Sequence, residues 1–251
     1  MTPVVRIASI GSMKMMIFNP QVSLLELARD YPPDFAGERI ETFPEEEFRE
    51  IEMFTEEYYW CGMESINVFE VRGTRHPDYQ GLSWVEFLRQ GKRMHANLSL
   101  FEKNPDYYLI DRKKEPSMSY IKLDGKLYVD SDGNHRTCIA KFFFYYTGRT
   151  HLHGVELREV RVDKYTYGLF KELRDYIRDS KLSYLEVEPL QRKLKRVDGP
   201  GWMREYFELG IRVRDRRKNK DLELKGSQII GFFKSIEGRD SLKRRFLGIL
   251  R

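Results

Sequence analysis

The chain has 251 residues, of which 41% are hydrophobic and 14% aromatic, a composition that can bury a core and excludes wholesale disorder. No apolar run in the sequence is long enough to cross a bilayer, and the first residues lack the basic and apolar segments of a secretory signal. We therefore expect a soluble, cytoplasmic protein with no membrane partner. The two cysteines, Cys61 and Cys138, lack metal-site spacing, which argues against a disulfide framework.

The net charge of +5 is unevenly distributed along the sequence. Residues 31–60 contain ten acidic and two basic side chains, a local charge of −8, whereas residues 191–220 contain eleven basic and four acidic side chains, a local charge of +7. The basic segment suggests an anionic partner. The alternative is that the two segments are solvated faces that partly neutralise each other.

The first 63 residues are predicted to be mostly helical. Residues 21–30 favour a short helix that Pro32 would end. In residues 45–60 the apolar side chains recur at helical spacing with acids between them: Phe48, Ile51, Phe54 and Tyr58. We interpret residues 1–63 as an acidic, mostly helical N-terminal extension.

Residues 64–180 alternate strand and helix patterns and are interpreted as the core domain. Ser83 and Glu86 form a capping-box pattern that opens a helix ending at Gly91. Two strands flank Asp124-Gly125, a dipeptide that favours the type I′ turn of a hairpin. The predicted elements of this domain are strands over 66–71, 118–123, 126–129 and 155–162, and helices over 83–91, 136–146 and 165–178, with Gly148 closing the second helix.

The last part of the chain, residues 181–251, is predicted to be a basic α/β addition. Residues 198–201 mark a break, after which residues 211–214 and 222–224 pair across a turn. Amphipathic patterns predict helices over 228–236 and 242–250. The three parts together predict an α+β fold.

The segment Asp132-Gly133-Asn134-His135-Arg136 joins the predicted hairpin to a helix. A helix N-terminus attracts phosphate through its unpaired N–H groups, and glycine lets the backbone approach a ligand closely. Arg136 can fork onto phosphate oxygens, His135 adds a donor, Thr137 adds a hydroxyl, and Asp132 can hold a metal ion or orient a water. The alternative is that Asp132 caps the helix while His135 and Arg136 pair with the acidic segment.

Residues 116–136, followed by a helix containing Ala140, resemble the core of the ParB/sulfiredoxin superfamily, whose members share a hairpin running into a Gly-x-x-Arg turn and a helix. The resemblance extends more loosely over residues 64–165. It implies a ParB/sulfiredoxin-like fold in which nucleotide phosphates bind at the turn. It thus implies ATP or another nucleoside triphosphate with Mg²⁺ as cofactors, bound by Gly133, Asn134, His135, Arg136 and Thr137.

The turn departs from two known branches of that superfamily. Sulfiredoxins have a catalytic cysteine where this chain has Asn134, which excludes sulfinic-acid reduction; Cys138 is interpreted as a buried structural thiol. Chromosome-partitioning ParB proteins have Gly-Glu-Arg-Arg at the turn, and no helix-turn-helix pattern follows residue 165 here.

The remaining resemblance is to ParB-like nucleases and NTPases, including the fertility-inhibition factors of conjugative plasmids. It implies NTP hydrolysis, DNase activity or both, serving a mobile element, with Asp132, His135 and Arg136 as the catalytic residues and Asp132 as the metal ligand. Two alternatives stay open: a non-catalytic module that senses a nucleotide or DNA, and a small-molecule kinase of the same superfamily. The sequence gives no indication of the oligomeric state.

The basic C-terminal segment contains candidate DNA contacts. The alternation in Arg212-Val213-Arg214 places both arginines on one face of a strand, a suitable platform for phosphates. The candidate DNA-binding residues are Arg212, Arg214, Arg216, Arg217 and Lys218.

Overall fold

The computed structural model describes the backbone of residues 7–10, 13–16 and 22–249 and the side chains of residues 22–238. The fold is mixed α+β, so the predicted fold class is confirmed at that level. In chain order the elements are β1 (Ile7–Ile10), β2 (Met13–Met16), α1 (Leu24–Asp30), β3 (Glu41–Thr42), α2 (Glu45–Ile51), β4 (Thr55–Asn67), β5 (Val71–Thr74), α3 (Trp84–Gln90), α4 (Met94–Lys103), α5 (Asp106–Leu109), β6 (Ser119–Leu123), β7 (Lys126–Val129), α6 (Asn134–Thr147), β8 (His151–Val162), α7 (Lys164–Asp179), β9 (Leu185–Gly199), β10 (Trp202–Asp215), β11 (Lys220–Leu224) and α8 (Ser227–Ile249). Among the described helices, none combines the length and the apolar character needed to cross a membrane.

The described chain forms two compact units that exchange segments of sequence. Unit 1 contains residues 7–10, 13–16, 22–45, 59–159 and 198–203, and unit 2 contains residues 46–58, 160–197 and 204–249. The predicted boundaries at residues 63 and 180 do not coincide with these, because β4 and β8 each contribute residues to both units.

The sheet of unit 1 carries the hairpin that precedes the candidate site. Its strands follow the order β8-β6-β7-β5-β3, with β6 and β7 antiparallel and with β7, β5 and β3 parallel. Asp124 and Gly125 have φ values of 47° and 84°, the positive values that a type I′ turn requires. The predicted hairpin is therefore confirmed.

Helix α6 lies in the core of unit 1. Ten of its fourteen residues are buried, as in a helix that is apolar on nearly every side. The ring of Phe142 packs 5.1 Å from that of Phe35, and the ring of Phe143 packs 5.0 Å from that of Phe101. The helix ends at Gly148, whose φ of 66° allows the left-handed cap. Burial along its length therefore fixes the position of its N-terminus.

In unit 2, β10 pairs with both β9 and β11. The register places Ile211 opposite Leu224 and Arg212 opposite Glu223, which confirms the predicted pairing of residues 211–214 with 222–224. Helix α7 buries one apolar face, where the ring of Phe170 lies 5.2 Å from that of Phe54.

Three predicted helices are wrong in extent. The helix predicted over 45–60 ends at Ile51, and a strand starts at Thr55. The aromatic residues 58–60 favour a strand, and strand pairing outweighs the helical spacing of the apolar positions. The two helices predicted over 228–236 and 242–250 are one continuous helix, α8, because the glycine and polar residues between them do not break it.

Strand boundaries also differ from the prediction. The strand predicted over 66–71 is divided between the end of β4 and the start of β5. Of residues 198–201, the first two end the long strand β9, and residues 200 and 201 form the turn that joins it to β10.

Candidate functional site

A cleft of about 600 Å³ opens in unit 1 beside the N-terminus of α6. Five of the predicted site residues line it: Asp132, Gly133, Asn134, His135 and Arg136. The other walls come from residues 76–79, from α4 with the two residues before it, and from residues 107, 108, 115 and 116. Ligand clefts commonly have volumes of roughly 300–1,000 Å³, so the size suits a small organic ligand.

The turn between β7 and α6 is held by Ser119. The Ser119 hydroxyl oxygen accepts hydrogen bonds from the backbone N–H of Ser131 at 3.1 Å and from that of Asp132 at 3.0 Å. Gly133 has a φ of 111°, and a Cβ there would lie 3.2 Å from the Cβ of Met118. Glycine is therefore required by both the backbone conformation and the close packing at this position.

The first turn of α6 has no side-chain cap among the described residues. Asp132 Oδ1 instead accepts from the N–H of Gly133 at 2.7 Å, one residue before the helix begins. This geometry overturns the alternative in which Asp132 caps the helix. The backbone N–H groups at the start of α6 keep their positive partial charge for a ligand in the cleft.

Arg136 is 13% exposed and is engaged by the protein itself. Its Nη1 donates to the Tyr107 hydroxyl at 2.8 Å and to the Pro116 carbonyl at 2.5 Å. Its Nη2 donates to the Ser117 carbonyl at 2.9 Å and lies 2.9 Å from Asp132 Oδ1. The arginine therefore joins the segment leading into β6 to the start of α6.

His135 points across the cleft wall, and its Nε2 donates to the Lys92 carbonyl. The ring packs against the stacked rings of Tyr79 and Phe87, at centroid distances of 5.1 and 5.2 Å. Burial lowers the pKa of His135 below its ordinary value, and the positive charges of nearby groups lower it further, against the effect of the Lys92 hydrogen bond. His135 is accordingly neutral at pH 7, with Nδ1 as an acceptor. Neither His135 nor Arg136 pairs with the acidic segment 31–60, so that part of the alternative is also wrong.

The side chains of Asn134 and Thr137 form hydrogen bonds within the protein. Asn134 Oδ1 accepts from the Thr74 hydroxyl at 2.5 Å. Thr137 is fully buried, with its hydroxyl donating to the Gly133 carbonyl at 2.8 Å and lying 2.7 Å from the Tyr120 hydroxyl. Thr137 is the predicted binding residue that does not line the cleft.

Asp132 is half-exposed, and one of its two carboxylate oxygens is shared between the Gly133 N–H and Arg136. Within the residues whose side chains are described, no three His, Cys, Asp or Glu residues cluster as metal ligands. A magnesium ion here would take Asp132 as its one protein carboxylate, with phosphate and water oxygens completing its shell. That arrangement is common for magnesium bound with a nucleotide.

An ion-pair cluster fixes the strand that leads into the turn. Asp130 is buried and pairs with Arg75 at 3.0 Å and with Arg158. Arg75 also pairs with Glu45. The sequence pattern does not indicate this cluster, because its members are far apart in the chain. Arg75 is 55 residues and Arg158 is 28 residues from Asp130, and Glu45 joins the cluster through its ion pair with Arg75.

Sequence reasoning also missed Lys92 and Arg93, which line the cleft just before α4. Arg93 is the N-terminal cap position of α4 and has a φ of 68°, a left-handed conformation that is rare for arginine. The lining also contains Leu100, Phe101 and Tyr107, of which Leu100 is 65% exposed. The cleft is thus lined by cations, by the acids Asp78, Glu115 and Asp132, and by apolar and aromatic side chains.

The candidate DNA-binding arginines lie in unit 2 and are mostly ion-paired. Arg212 shares Glu223 with Arg192, Arg214 pairs with Asp221 at 3.0 Å, and Arg216 pairs with Glu186. Arg217 lies 3.1 Å from the centre of the Tyr184 ring, and the Lys218 N–H donates to Asp215. These acids reduce the net positive charge that the cluster presents to a polyanion.

Comparisons of the chain with family models, with curated proteins and with solved structures find no match.

Cys138 is fully buried, as predicted for a structural thiol, and burial raises its pKa. The candidate ligand site is the cleft at the start of α6, and its own residues indicate the chemistry of what it binds.

Proposed function

We propose that the protein binds a nucleoside triphosphate, with its phosphates at the N-terminus of α6. The observation that carries the proposal is the uncapped start of this helix, which opens into a cleft lined by Lys92 and Arg93. Backbone N–H groups at a helix N-terminus and nearby cations are a common combination for binding phosphate. The resemblance of residues 116–136 to the ParB/sulfiredoxin superfamily supports the same ligand class.

The mixed lining of the cleft supports a ligand with both a charged and an apolar part. Phosphates would lie beside Lys92 and Arg93, and a base or sugar would lie against Tyr107 and Leu100. Such a division agrees with a whole nucleotide rather than with a free inorganic anion.

The experiment is a thermal-shift panel with ATP, CTP, GTP and ADP, each with and without Mg²⁺. A ligand at a hundred times its dissociation constant stabilises the folded state by about 2.7 kcal/mol, which raises the melting temperature measurably. Adenosine without phosphates is the matched control. If no nucleotide shifts the melting temperature at millimolar concentration, the proposed function is wrong.

Hydrolysis of the bound nucleotide is the catalytic form of this proposal. Asp132 would orient the attacking water, since its second carboxylate oxygen has no partner among the described residues. The second candidate is a binding module without turnover. It is favoured by the ion pair of Asp132 with Arg136, which compensates the charge that a general base would use.

Action on DNA, including DNase activity in the service of a plasmid or other mobile element, is proposed from the sequence resemblance. The candidate contacts are the five basic residues from Arg212 to Lys218. A kinase that transfers phosphate to a small molecule is the remaining alternative, and the open cleft would have to hold that acceptor beside the nucleotide.

A further inference from the structure

The cations that line the cleft differ in how much of their hydrogen-bonding capacity is already used. Both terminal nitrogens of Arg136 are engaged twice, by the Tyr107 hydroxyl, by two backbone carbonyls and by Asp132. To bind a phosphate, Arg136, whose side chain is 13% exposed, would have to give up some of these four contacts. Each contact given up offsets part of the free energy gained from the phosphate.

Lys92 and Arg93 differ from Arg136 in this respect. Their side chains are exposed and have no hydrogen-bond or ion-pair partner within residues 22–238. The Lys92 carbonyl accepts from His135, which places the Lys92–Arg93 segment directly against the start of α6. Burial raises the pKa of Tyr79, and the charge of Arg93 acts against that rise. Burial lowers the pKa of His135, and the charge of Arg93 adds to that fall, so its guanidinium lies near both rings of the cleft wall.

We propose that Lys92 and Arg93 contact the phosphates of the bound nucleotide, and that Arg136 is a positioning residue that holds the cleft wall. The proposal rests on the proposed function and identifies which side chains recognise its ligand. Two free cations beside the uncapped helix match a ligand that carries several negative charges. Affinity should therefore rise from nucleoside to diphosphate to triphosphate.

The left-handed conformation of Arg93 provides a sharp test. Asparagine tolerates a positive φ better than arginine, so Arg93→Asn removes the charge without straining the backbone. Lys92→Ala removes the other charge and leaves the carbonyl that binds His135 unchanged. The double variant is expected to keep the wild-type melting temperature.

The measurement is calorimetric binding of adenosine, ADP, ATP and tripolyphosphate to the full chain. In the double variant we expect ATP affinity to fall roughly a hundredfold, about tenfold for each charged hydrogen bond lost. The affinity for adenosine should not change. The matched control, Arg89→Asn with Lys103→Ala, removes two exposed charges from α3 and α4 outside the cleft and should bind ATP as the wild type does.

Arg136→Gln distinguishes a positioning residue from a phosphate contact. Loss of its four contacts should lower the melting temperature more than the Lys92/Arg93 double variant or the Arg89/Lys103 control does. If the wild type does not bind ATP, the proposed function fails and this inference fails with it. If the wild type binds ATP and the double variant keeps the full rise in affinity from adenosine to ATP, the inference alone is overturned.

Discussion

Lys141 offers a quantitative test of how α6 is packed. Its side chain is 1% exposed, and its Nζ donates to the Val71 carbonyl at 3.0 Å and lies 4.3 Å from the Trp84 ring centre. Burial lowers the pKa of Lys141 from its ordinary 10.5 to about 8, against the opposing charge of Glu38. The charged amine is therefore a cost to the folded state at neutral pH.

The size of that cost follows from linkage between proton binding and folding. A fall of the pKa from 10.5 to about 8 corresponds to roughly 3 kcal/mol. Between pH 8 and 10.5 the unfolded chain binds more protons at Lys141 than the folded chain does. The free energy of unfolding therefore gains this amount as pH rises through that window, whereas below pH 8 the full cost remains.

Lys141→Met keeps the length of the side chain and removes the amine. The variant loses the hydrogen bond to Val71, worth about 1 kcal/mol, and avoids the cost of the buried charge. We expect it to be about 2 kcal/mol more stable than the wild type at pH 7 and about 1 kcal/mol less stable at pH 10.5. Urea denaturation of both proteins across this pH range measures the difference. A difference that does not change with pH would refute the burial of a charged Lys141.

Four further outcomes are expected. Cys138→Ala should lower stability by roughly 1–2 kcal/mol because it leaves a small cavity in α6, while nucleotide affinity in the same preparation stays at the wild-type value; lost binding without unfolding would revive a thiol mechanism. Acid should destabilise the wild type below about pH 6.5, because the folded-state pKa of His135 is depressed and the unfolded state takes up the proton first; His135→Gln should weaken this dependence in denaturation measured from pH 5 to 7, and an identical profile would contradict the burial of a neutral imidazole. Asp132→Asn keeps an acceptor for the Gly133 N–H, so stability and nucleotide affinity should stay near wild type while phosphate release falls roughly a hundredfold; no release from either protein would favour the non-catalytic module. Replacing Arg212, Arg214, Arg216 and Arg217 together with alanine should lower DNA affinity and flatten its dependence on salt, and unchanged binding would place DNA elsewhere or exclude it.

The elements predicted correctly are those whose signals are local. The Ser83–Glu86 capping box, the Asp124-Gly125 turn and the Gly148 cap depend on residues within one turn of each other, and all three form as expected. The predictions failed where pairing between strands that are distant in the sequence determines the local structure. Residues 58–60 belong to β4 rather than to a helix, and β9 and β10 form long paired strands that no short sequence pattern marks.

The candidate site was predictable in its backbone and not in its side-chain contacts. The strand, glycine turn and helix start are contiguous in sequence, so the turn chemistry indicated them. Arg136 is bound by Tyr107, Pro116 and Ser117, whose positions depend on the tertiary fold. Lys92 and Arg93 lie about forty residues before the turn without a motif, and a hydrogen bond from His135 to the Lys92 carbonyl holds them beside it.

The side chains of Asn134, His135 and Arg136 each connect a different segment to the start of α6. Asn134 binds Thr74 at the end of β5, and His135 binds the Lys92 carbonyl. Arg136 binds the segment that leads into β6. The same turn leaves the backbone N–H groups of the helix uncapped by side chains of the described residues. On the proposed function, these three side chains hold the shape of the cleft. The backbone N–H groups at the start of α6, with Lys92 and Arg93, contact the ligand. Substitutions at Asn134, His135 and Arg136 should accordingly affect stability more than affinity, and substitutions at Lys92 and Arg93 should do the reverse.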